Sequence, residues 1–160
     1  MDEREYENKI TQCVPALYRV ARSILFNEQD CADAVQEAVF QGWVKRRQLR
    51  DLASFQAWMT RITVNECRNL QRRALKQKKA VEASIEDLRQ PPAHRNVTEL
   101  EAALSRLPEK YRLPIVLYYM EDYPTKTIAG LLEIPEGRLR ERMRTARKLL
   151  GRMLKHEADE

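Results

Sequence analysis

The sequence is poor in glycine and cysteine, and it contains no long run of apolar residues. Only four glycines among 160 residues, together with few β-branched runs, favour helices over sheets. Cys13, Cys31 and Cys67 lie far apart, with no Cys-x-x-Cys pair and no Cys/His cluster. This spacing argues against a metal site and predicts reduced thiols, buried on helical stripes. We therefore expect no metal and no other cofactor.

Two further absences concern location and chemistry. No apolar run approaches the roughly 20 residues of a membrane span, and the acidic start Met1-Asp-Glu-Arg-Glu is unlike a signal peptide. Nothing in the sequence is similar to a nucleophile–base pair, a phosphate-binding loop or a metal cage. We therefore expect a cytoplasmic protein that has no membrane insertion of its own and is not an enzyme.

Charge is abundant and slightly biased towards positive. Hydrophobic residues make up 43% of the chain and charged residues 33%, proportions that suit helical structure and argue against wholesale disorder. Lysine and arginine number 29 against 24 aspartates and glutamates, a net charge of +5. This bias favours an anionic partner, although the distribution of the charges is more informative than their total.

The last third of the chain has the pattern of a helix-turn-helix. A short helix is predicted to start after Thr125 as its N-cap, and the segment 133–137 interrupts it before Pro135 opens a second helix. The second helix has one apolar stripe: Leu139, Met143, Ala146, Leu150 and Met153. Its other faces are basic: Arg138, Arg140, Arg142, Arg144, Arg147, Lys148, Arg152 and Lys155. This pattern favours DNA binding in a major groove over a merely solvated basic face.

Helical periodicity also organises the rest of the chain. Three helices are predicted between residues 4 and 80, the second capped by Asn27 and the third by Ser54. Residues 77–96 lose periodicity and contain Pro91-Pro92, which predicts a linker with a turn of helix at residues 85–88. We expect an all-α fold of two small helical domains, 1–76 and 97–160. A flexible linker, 77–96, joins them, and the C-terminal domain is the helix-turn-helix.

The first domain has two surfaces of opposite sign. Basic residues from Arg61 to Lys79 surround Trp58, Asn65 and Asn69, which suits a nucleic-acid backbone with exposed bases nearby. A core role for Trp58 beside a solvated helix end fits this composition equally well. In contrast, the second helix carries the string Asp33-Ala-Val-Gln36-Glu37, which would repel DNA. Its carboxylates could stabilise the helix start or bind a basic protein partner.

Four motifs in order resemble one family across nearly the whole chain. The first comprises Asp33, Gln36, Glu37, Phe40 and Trp43. The second comprises Phe55, Trp58, Ile62, Asn65, Arg72 and Arg73. The third comprises Leu107, Pro108, Arg112 and Leu117. The fourth comprises Ile128, Ala129, Gly137, Leu139, Arg142, Ala146 and Arg147. Together they resemble the bacterial RNA polymerase sigma factors of the extracytoplasmic-function (ECF) type, within the sigma-70 family.

The resemblance implies partners and roles. It implies that Asp33, Gln36 and Glu37 bind core RNA polymerase, and that the loop 45–54 captures a flipped base of the promoter −10 element. The implied −10 contacts are Arg46, Arg47, Arg50, Trp58, Arg61, Asn65, Arg68, Asn69, Arg72 and Arg73. The implied −35 contacts are Arg138, Arg140, Glu141, Arg142, Arg144, Thr145, Arg147 and Lys148, of which Arg147 and Lys148 meet phosphates. An anti-sigma factor is the implied inhibitory partner.

The sequence departs from the family at the helix-turn-helix. Glu133 stands where the family usually has glycine, and a left-handed backbone is unfavourable for glutamate, so we expect a reshaped turn. Arg138 and Glu141 replace small hydroxyl residues. They could read guanine and cytosine, or they could pair with each other and read nothing.

Two other functions remain open on the sequence. A stand-alone helix-turn-helix regulator would use only the C-terminal domain for DNA and residues 1–76 for a ligand or for dimerisation. A protein that sequesters polymerase would share the acidic surface but would not capture a strand.

Overall fold

The computed structural model describes residues 1–81 and 98–158. Within these ranges the regular elements are all helical, which confirms the all-α prediction. The α-helices are α1 Glu3–Ile24, α2 Glu28–Val44, α3 Phe55–Val81, α4 Glu99–Arg106, α5 Glu109–Ile115, α6 Thr125–Leu132 and α7 Glu136–Ala158. The chain divides into two compact units, Met1–Gln90 and Pro91–Glu160. No helix in the described ranges is long and apolar enough to cross a lipid bilayer.

The predicted linker begins inside a helix. Residues 77–81 form the last turns of α3. The remainder of the predicted linker, with the turn of helix expected at residues 85–88, lies outside the described residues.

The N-terminal unit is a bundle of α1, α2 and α3, each packed against the other two. Its core includes the fully buried side chains of Leu17, Val20, Met59 and Val64. Burying an aliphatic side chain contributes about 1.5–3 kcal/mol each, so this apolar core is the main source of the unit's stability. The three cysteines are free and buried as predicted, and burial raises the pKa of Cys31 to about 11.

The caps of the first unit agree only in part with the sequence prediction. The side chain of Asn27 accepts a hydrogen bond from the Asp30 amide at 3.1 Å, which confirms it as the N-cap of α2. The prediction that Ser54 caps α3 is wrong. Ser54 ends a 3₁₀ turn, Leu52–Ser54, and Asp51 caps that turn by accepting from the Ala53 amide at 3.0 Å.

In the C-terminal unit, α4, α5 and α6 each pack against α7. The predicted stripe of α7 is buried at Leu139, Met143, Ala146 and Leu150, so the helical period identified this core correctly. Arg112 of α5 is also buried, and its Nη1 donates to the Leu107 carbonyl at 2.6 Å. After Ile115 the chain continues as one π-helical turn, Val116–Met120, which leaves Tyr118, Tyr119 and Met120 exposed.

The helix-turn-helix differs from the sequence prediction at both ends of α6. Thr125 is the first residue of α6 rather than its cap, and Pro124 precedes the helix. Glu133 adopts the left-handed conformation, with φ 56° and ψ 43°. The Ile134 amide donates to the Ala129 carbonyl and the Glu133 amide to the Gly130 carbonyl, the two hydrogen bonds of a Schellman motif. The expected reshaping of the turn is therefore wrong, because Glu133 takes the backbone conformation that glycine usually provides.

Candidate functional site

The acidic string lies on an exposed face of α2. Asp33, Gln36 and Glu37 are all exposed, and their spacing places them on one side of the helix. Gln29 donates to Asp33 at 2.9 Å and Gln41 donates to Glu37 at 2.9 Å. These amides align the carboxylates without neutralising them, so the face keeps its negative charge.

Two apolar residues extend this face towards the C-terminus of α2. Phe40 is 58% exposed and Val44 is 56% exposed, and both follow Glu37 at helical spacing. The polymerase contacts implied by the sequence do not include these two residues, although Phe40 belongs to the matched motif. We call Asp33, Gln36, Glu37, Phe40 and Val44 the acidic–apolar face. An exposed apolar patch of this kind, beside charged residues, is typical of a protein-binding surface.

The loop after α2 consists of two 3₁₀ turns, Arg46–Gln48 and Leu52–Ser54. Arg47 and Arg50 are exposed and available to a strand, but Arg46 is half-buried. The Arg46 guanidinium carbon lies 3.8 Å from the centroid of the Trp43 ring. Its Nη1 donates to the Trp43 carbonyl at 3.0 Å and its Nε to the Met1 carbonyl at 3.3 Å. Within the loop, therefore, the three predicted arginines differ in their environment.

The predicted strand-binding residues of α3 share one side of the helix. Each lies one, three or four residues after the one before it, which keeps them on one side of a helix: Trp58, Arg61, Asn65, Arg68, Asn69, Arg72 and Arg73. We call this set the α3 basic face. Arg72 donates to the side chain of Asn69 at 3.0 Å, which holds a cation beside an amide. Trp58 is half-buried against Phe55, with 6.2 Å between ring centroids, so it combines a core contact with an accessible edge.

The predicted residues of α7 divide between two faces. Arg138, Glu141, Arg142 and Thr145 are spaced at i, i+3, i+4 and i+7, which defines the first face. Arg138 and Glu141 are exposed, and among the described residues no ion pair joins them. The sequence-based alternative in which these two side chains neutralise each other is therefore not what the structure shows. Both remain available to an external partner.

The second face of α7 holds Arg140, Arg144 and Arg147. Arg140 pairs with Glu136 at 2.9 Å, and the same Glu136 oxygen accepts from the Thr125 hydroxyl at 3.3 Å. Arg147 donates to the Tyr119 hydroxyl at 3.0 Å. These contacts join Arg140 and Arg147 to neighbouring side chains on the protein surface. Lys148 is exposed between the two faces.

These features define the class of the protein. Two helical units, each with a cationic helix face and one with a helix-turn-helix, form a DNA-binding protein. The family model for sigma-70 region 2 matches residues 10–77, and the model for sigma-70 region 4 matches residues 98–150. The chain belongs to the ECF RNA polymerase sigma factors, and its function is that of an alternative sigma factor.

Individual relatives support this assignment. The ECF RNA polymerase sigma factor SigM of Mycobacterium tuberculosis is 32% identical over 143 residues, which cover 86% of this chain and 71% of SigM. The RNA polymerase sigma factor SigV of Bacillus subtilis is 28% identical, covering 92% of this chain and 90% of SigV. The sigma factor RpoE, in its complex with the anti-sigma factor NepR from Bartonella quintana, shares the fold. Its TM-score is 0.83 at 22% identity, over 95% of this chain and 98% of RpoE. The stand-alone regulator is not favoured.

Proposed function

We propose that this sigma factor joins core RNA polymerase through the acidic–apolar face of α2 and directs it to a class of promoters. The observation that carries the proposal is the contrast between consecutive helices. The acidic–apolar face would repel DNA, whereas the α3 basic face attracts it. One small bundle thus presents a surface for protein and a surface for nucleic acid.

The proposed division of labour follows the two units. Residues 1–76 bind the polymerase and the −10 element, residues 77–96 link the units, and residues 97–160 bind the −35 element. The two matched family regions, 10–77 and 98–150, support this division.

At the −10 element, the loop 45–54 and the α3 basic face hold the non-template strand. A base inside a duplex hides its Watson–Crick edge, so the strand must open, at a cost of a few kcal/mol that the pocket contacts recover. The exposed Arg47 and Arg50 supply cations in the loop. On α3 the contacts are Trp58, Arg61, Asn65, Arg68, Asn69, Arg72 and Arg73.

At the −35 element, α7 enters the major groove. The first face, with Arg138, Glu141, Arg142 and Thr145, meets the base edges, since an arginine pairs well with guanine and a glutamate accepts from cytosine. The second face, with Arg140, Arg144 and Arg147, lies towards the backbone together with Lys148. Contacts to phosphates position the helix without reading sequence.

The protein acts by binding rather than by covalent chemistry, and it works in the cytoplasm. The relatives are sigma factors, which supports a role outside catalysis. We further propose an anti-sigma factor as an inhibitory partner, because the structural relative RpoE was crystallised with one.

Run-off transcription tests the proposal as a whole. Purified core polymerase is incubated with a library of genomic fragments, with and without this protein, and new transcript starts are mapped. New specific starts are expected, and their upstream sequences define the −10 and −35 elements. Core binding without new starts would instead support a protein that sequesters polymerase. Failure to bind core would contradict the polymerase surface on α2.

A charge reversal tests the acidic–apolar face separately. Glu37→Lys is expected to weaken core binding by about tenfold or more, because it places a cation against a surface that complements an anion. Glu7→Lys makes the same charge change at an exposed position of α1 and serves as the control. Affinity for fluorescently labelled core, measured by anisotropy, should fall for the first variant alone. Equal affinities for the two variants would exclude this face.

A further inference from the structure

Four aromatic rings form a row that includes one residue on each side of the loop 45–54. The Trp43 ring lies 5.4 Å from the Tyr6 ring, and the Tyr6 ring lies 5.9 Å from the Phe55 ring. Trp58 continues the row at 6.2 Å from Phe55. Trp43 belongs to the last turn of α2, and Phe55 opens α3. The packing of these rings therefore fixes the distance between the end of α2 and the start of α3, which the loop must span.

Arg46 closes this row at the α2 end. Its guanidinium stacks on Trp43 at 3.8 Å, a distance at which cation–π attraction and planar contact both contribute. Two of its nitrogens donate to backbone carbonyls, one of Trp43 and one of Met1. These hydrogen bonds join the loop to α2 and to the segment that leads into α1. They also place a cation at the C-terminal end of α2, where the helix dipole is favourable.

The first turn of the loop is built on Arg46. The Gln48 amide donates to the Lys45 carbonyl at 2.8 Å, and the Leu49 amide donates to the Arg46 carbonyl at 3.3 Å. Arg47 and Arg50 follow directly and are exposed. An anchor at Arg46 therefore determines where the backbone places the side chains of Arg47 and Arg50.

We propose that Arg46 is a positioning residue of the loop and does not itself contact the strand. It holds Arg47 and Arg50 in place for the −10 strand, a role that rests on the proposed function of this loop. The sequence resemblance implies a strand contact for each of Arg46, Arg47 and Arg50, whereas only Arg47 and Arg50 are exposed in the structure. The contacts to the indole and to two carbonyl acceptors already occupy one face of the Arg46 guanidinium and two of its five N–H groups.

Limited trypsin digestion of the full chain tests the anchor without any nucleic acid. Arg46→Gln removes the stacked cation, so cleavage after Arg47 and Arg50 is expected to accelerate about fivefold or more as the loop opens locally. Arg4→Gln, at an exposed position of α1, is the matched control and should leave these two cleavages unchanged. Unchanged cleavage in Arg46→Gln overturns the anchor.

A double-mutant cycle in the holoenzyme tests the positioning role. The probe is a fluorescein-labelled single strand carrying the −10 non-template sequence of a start site mapped by run-off transcription. Arg46→Gln is expected to weaken binding about tenfold in the otherwise native protein, and to have no further effect once Arg47 and Arg50 are both glutamine. Additive losses would show a direct contact and overturn the proposal.

A conservative variant separates geometry from charge. Arg46→Lys keeps the cation but lacks the planar group, so it is not expected to restore strand binding. Rescue by lysine would indicate a phosphate contact and overturn the positioning role. A native holoenzyme that binds no such strand would overturn the proposed function itself, and the trypsin result would then stand as the separate measure of the anchor.

Discussion

Gly42 and Tyr6 show how individual residues bring the helices of the first unit together. A Cβ atom at Gly42 would lie 2.5 Å from the Tyr6 hydroxyl and 2.6 Å from the Met59 sulfur, so a side chain there would displace these two groups. The Tyr6 hydroxyl donates to the Val39 carbonyl at 2.6 Å. The close approach of α2 thus depends on a missing side chain and on a buried hydroxyl.

Tyr6 is also expected to make stability depend on alkaline pH. Burial, with a smaller contribution from Cys13, raises the pKa of Tyr6 to about 12 from an ordinary value of 10. The folded state retains the proton longer than the unfolded state, so wild-type stability falls as pH rises from about 10 to about 12. Tyr6→Phe loses about 1 kcal/mol at neutral pH through the hydrogen bond, but it lacks this alkaline decline.

Urea unfolding of both proteins between pH 8 and pH 11 measures the effect. The difference in unfolding free energy between wild type and Tyr6→Phe should narrow above pH 10. Ionisation of Cys31 also affects stability in this pH range, but its effect cancels in the difference because both proteins contain Cys31. If the unfolding free energies of the two proteins changed in parallel across this pH range, the alkaline loss of stability would not come from Tyr6.

Glu133 offers a second prediction at the residue scale. A left-handed conformation costs a non-glycine residue about 1–2 kcal/mol, a cost that glycine avoids. Glycine in turn destabilises the folded state by about 0.5–1 kcal/mol, because its unfolded state has a larger conformational entropy. Glu133→Gly is therefore expected to raise the unfolding free energy by up to about 1 kcal/mol. Asp122→Gly, at φ 58°, is the matched control and should gain less, because aspartate tolerates this region better.

Urea titration of wild type and the two glycine variants measures their unfolding free energies and so compares the two gains directly. A loss of stability in Glu133→Gly would show that the glutamate side chain contributes more to the native turn than its backbone strain costs.

At the scale of elements, Arg112 ties the short helices of the second unit together. Its buried guanidinium donates to the Leu107 carbonyl, where α4 has ended and α5 is about to begin. Arg112→Met preserves an apolar stem but removes the donor. A buried acceptor is then left without its charged partner, so a loss of about 1.5–3 kcal/mol is expected.

Thermal and urea unfolding of Arg112→Met provide the measurement. Lys126→Met, at an exposed position of α6, is the control and should change stability by less than about 0.5 kcal/mol. Similar stabilities for both variants would mean that Arg112 is dispensable for the corner between α4 and α5.

At the scale of the whole molecule, tight promoter binding should require the polymerase. Each unit alone offers a small cationic surface, and holding both on one partner makes the second contact intramolecular. We expect the free protein to bind a promoter duplex at least about 100-fold more weakly than the holoenzyme does.

Anisotropy with a labelled promoter duplex, at one fixed salt concentration, tests this expectation. Adding core to the wild-type protein should produce tight binding, and adding core to Glu37→Lys should not. Tight promoter-specific binding by the isolated protein would contradict the requirement for polymerase and would favour a stand-alone regulator.

Much of this architecture follows from patterns within single helices. The stripe of α7, the Asn27 cap and the exposed acidic string on α2 depend on spacing along one helix, so periodicity predicts them. The capping preferences of single residues predicted the first residue of a helix less reliably. Ser54 and Thr125 are both good caps in isolation, but the backbone around them is already helical, and Asp51 and Pro124 precede those turns instead.

The sequence by itself therefore determined the helical class, the helix-turn-helix and the candidate charged faces, because each repeats at a helical period. Only the tertiary structure decided how particular side chains are used. Arg46 stacks on Trp43 and reaches Met1, and Arg147 meets Tyr119, 28 residues away in sequence. Such contacts depend on how separate elements pack, and local spacing carries no information about them. Glu133 is left-handed against its intrinsic preference, and the hydrogen bonds of the Schellman motif at the end of α6 accompany that conformation.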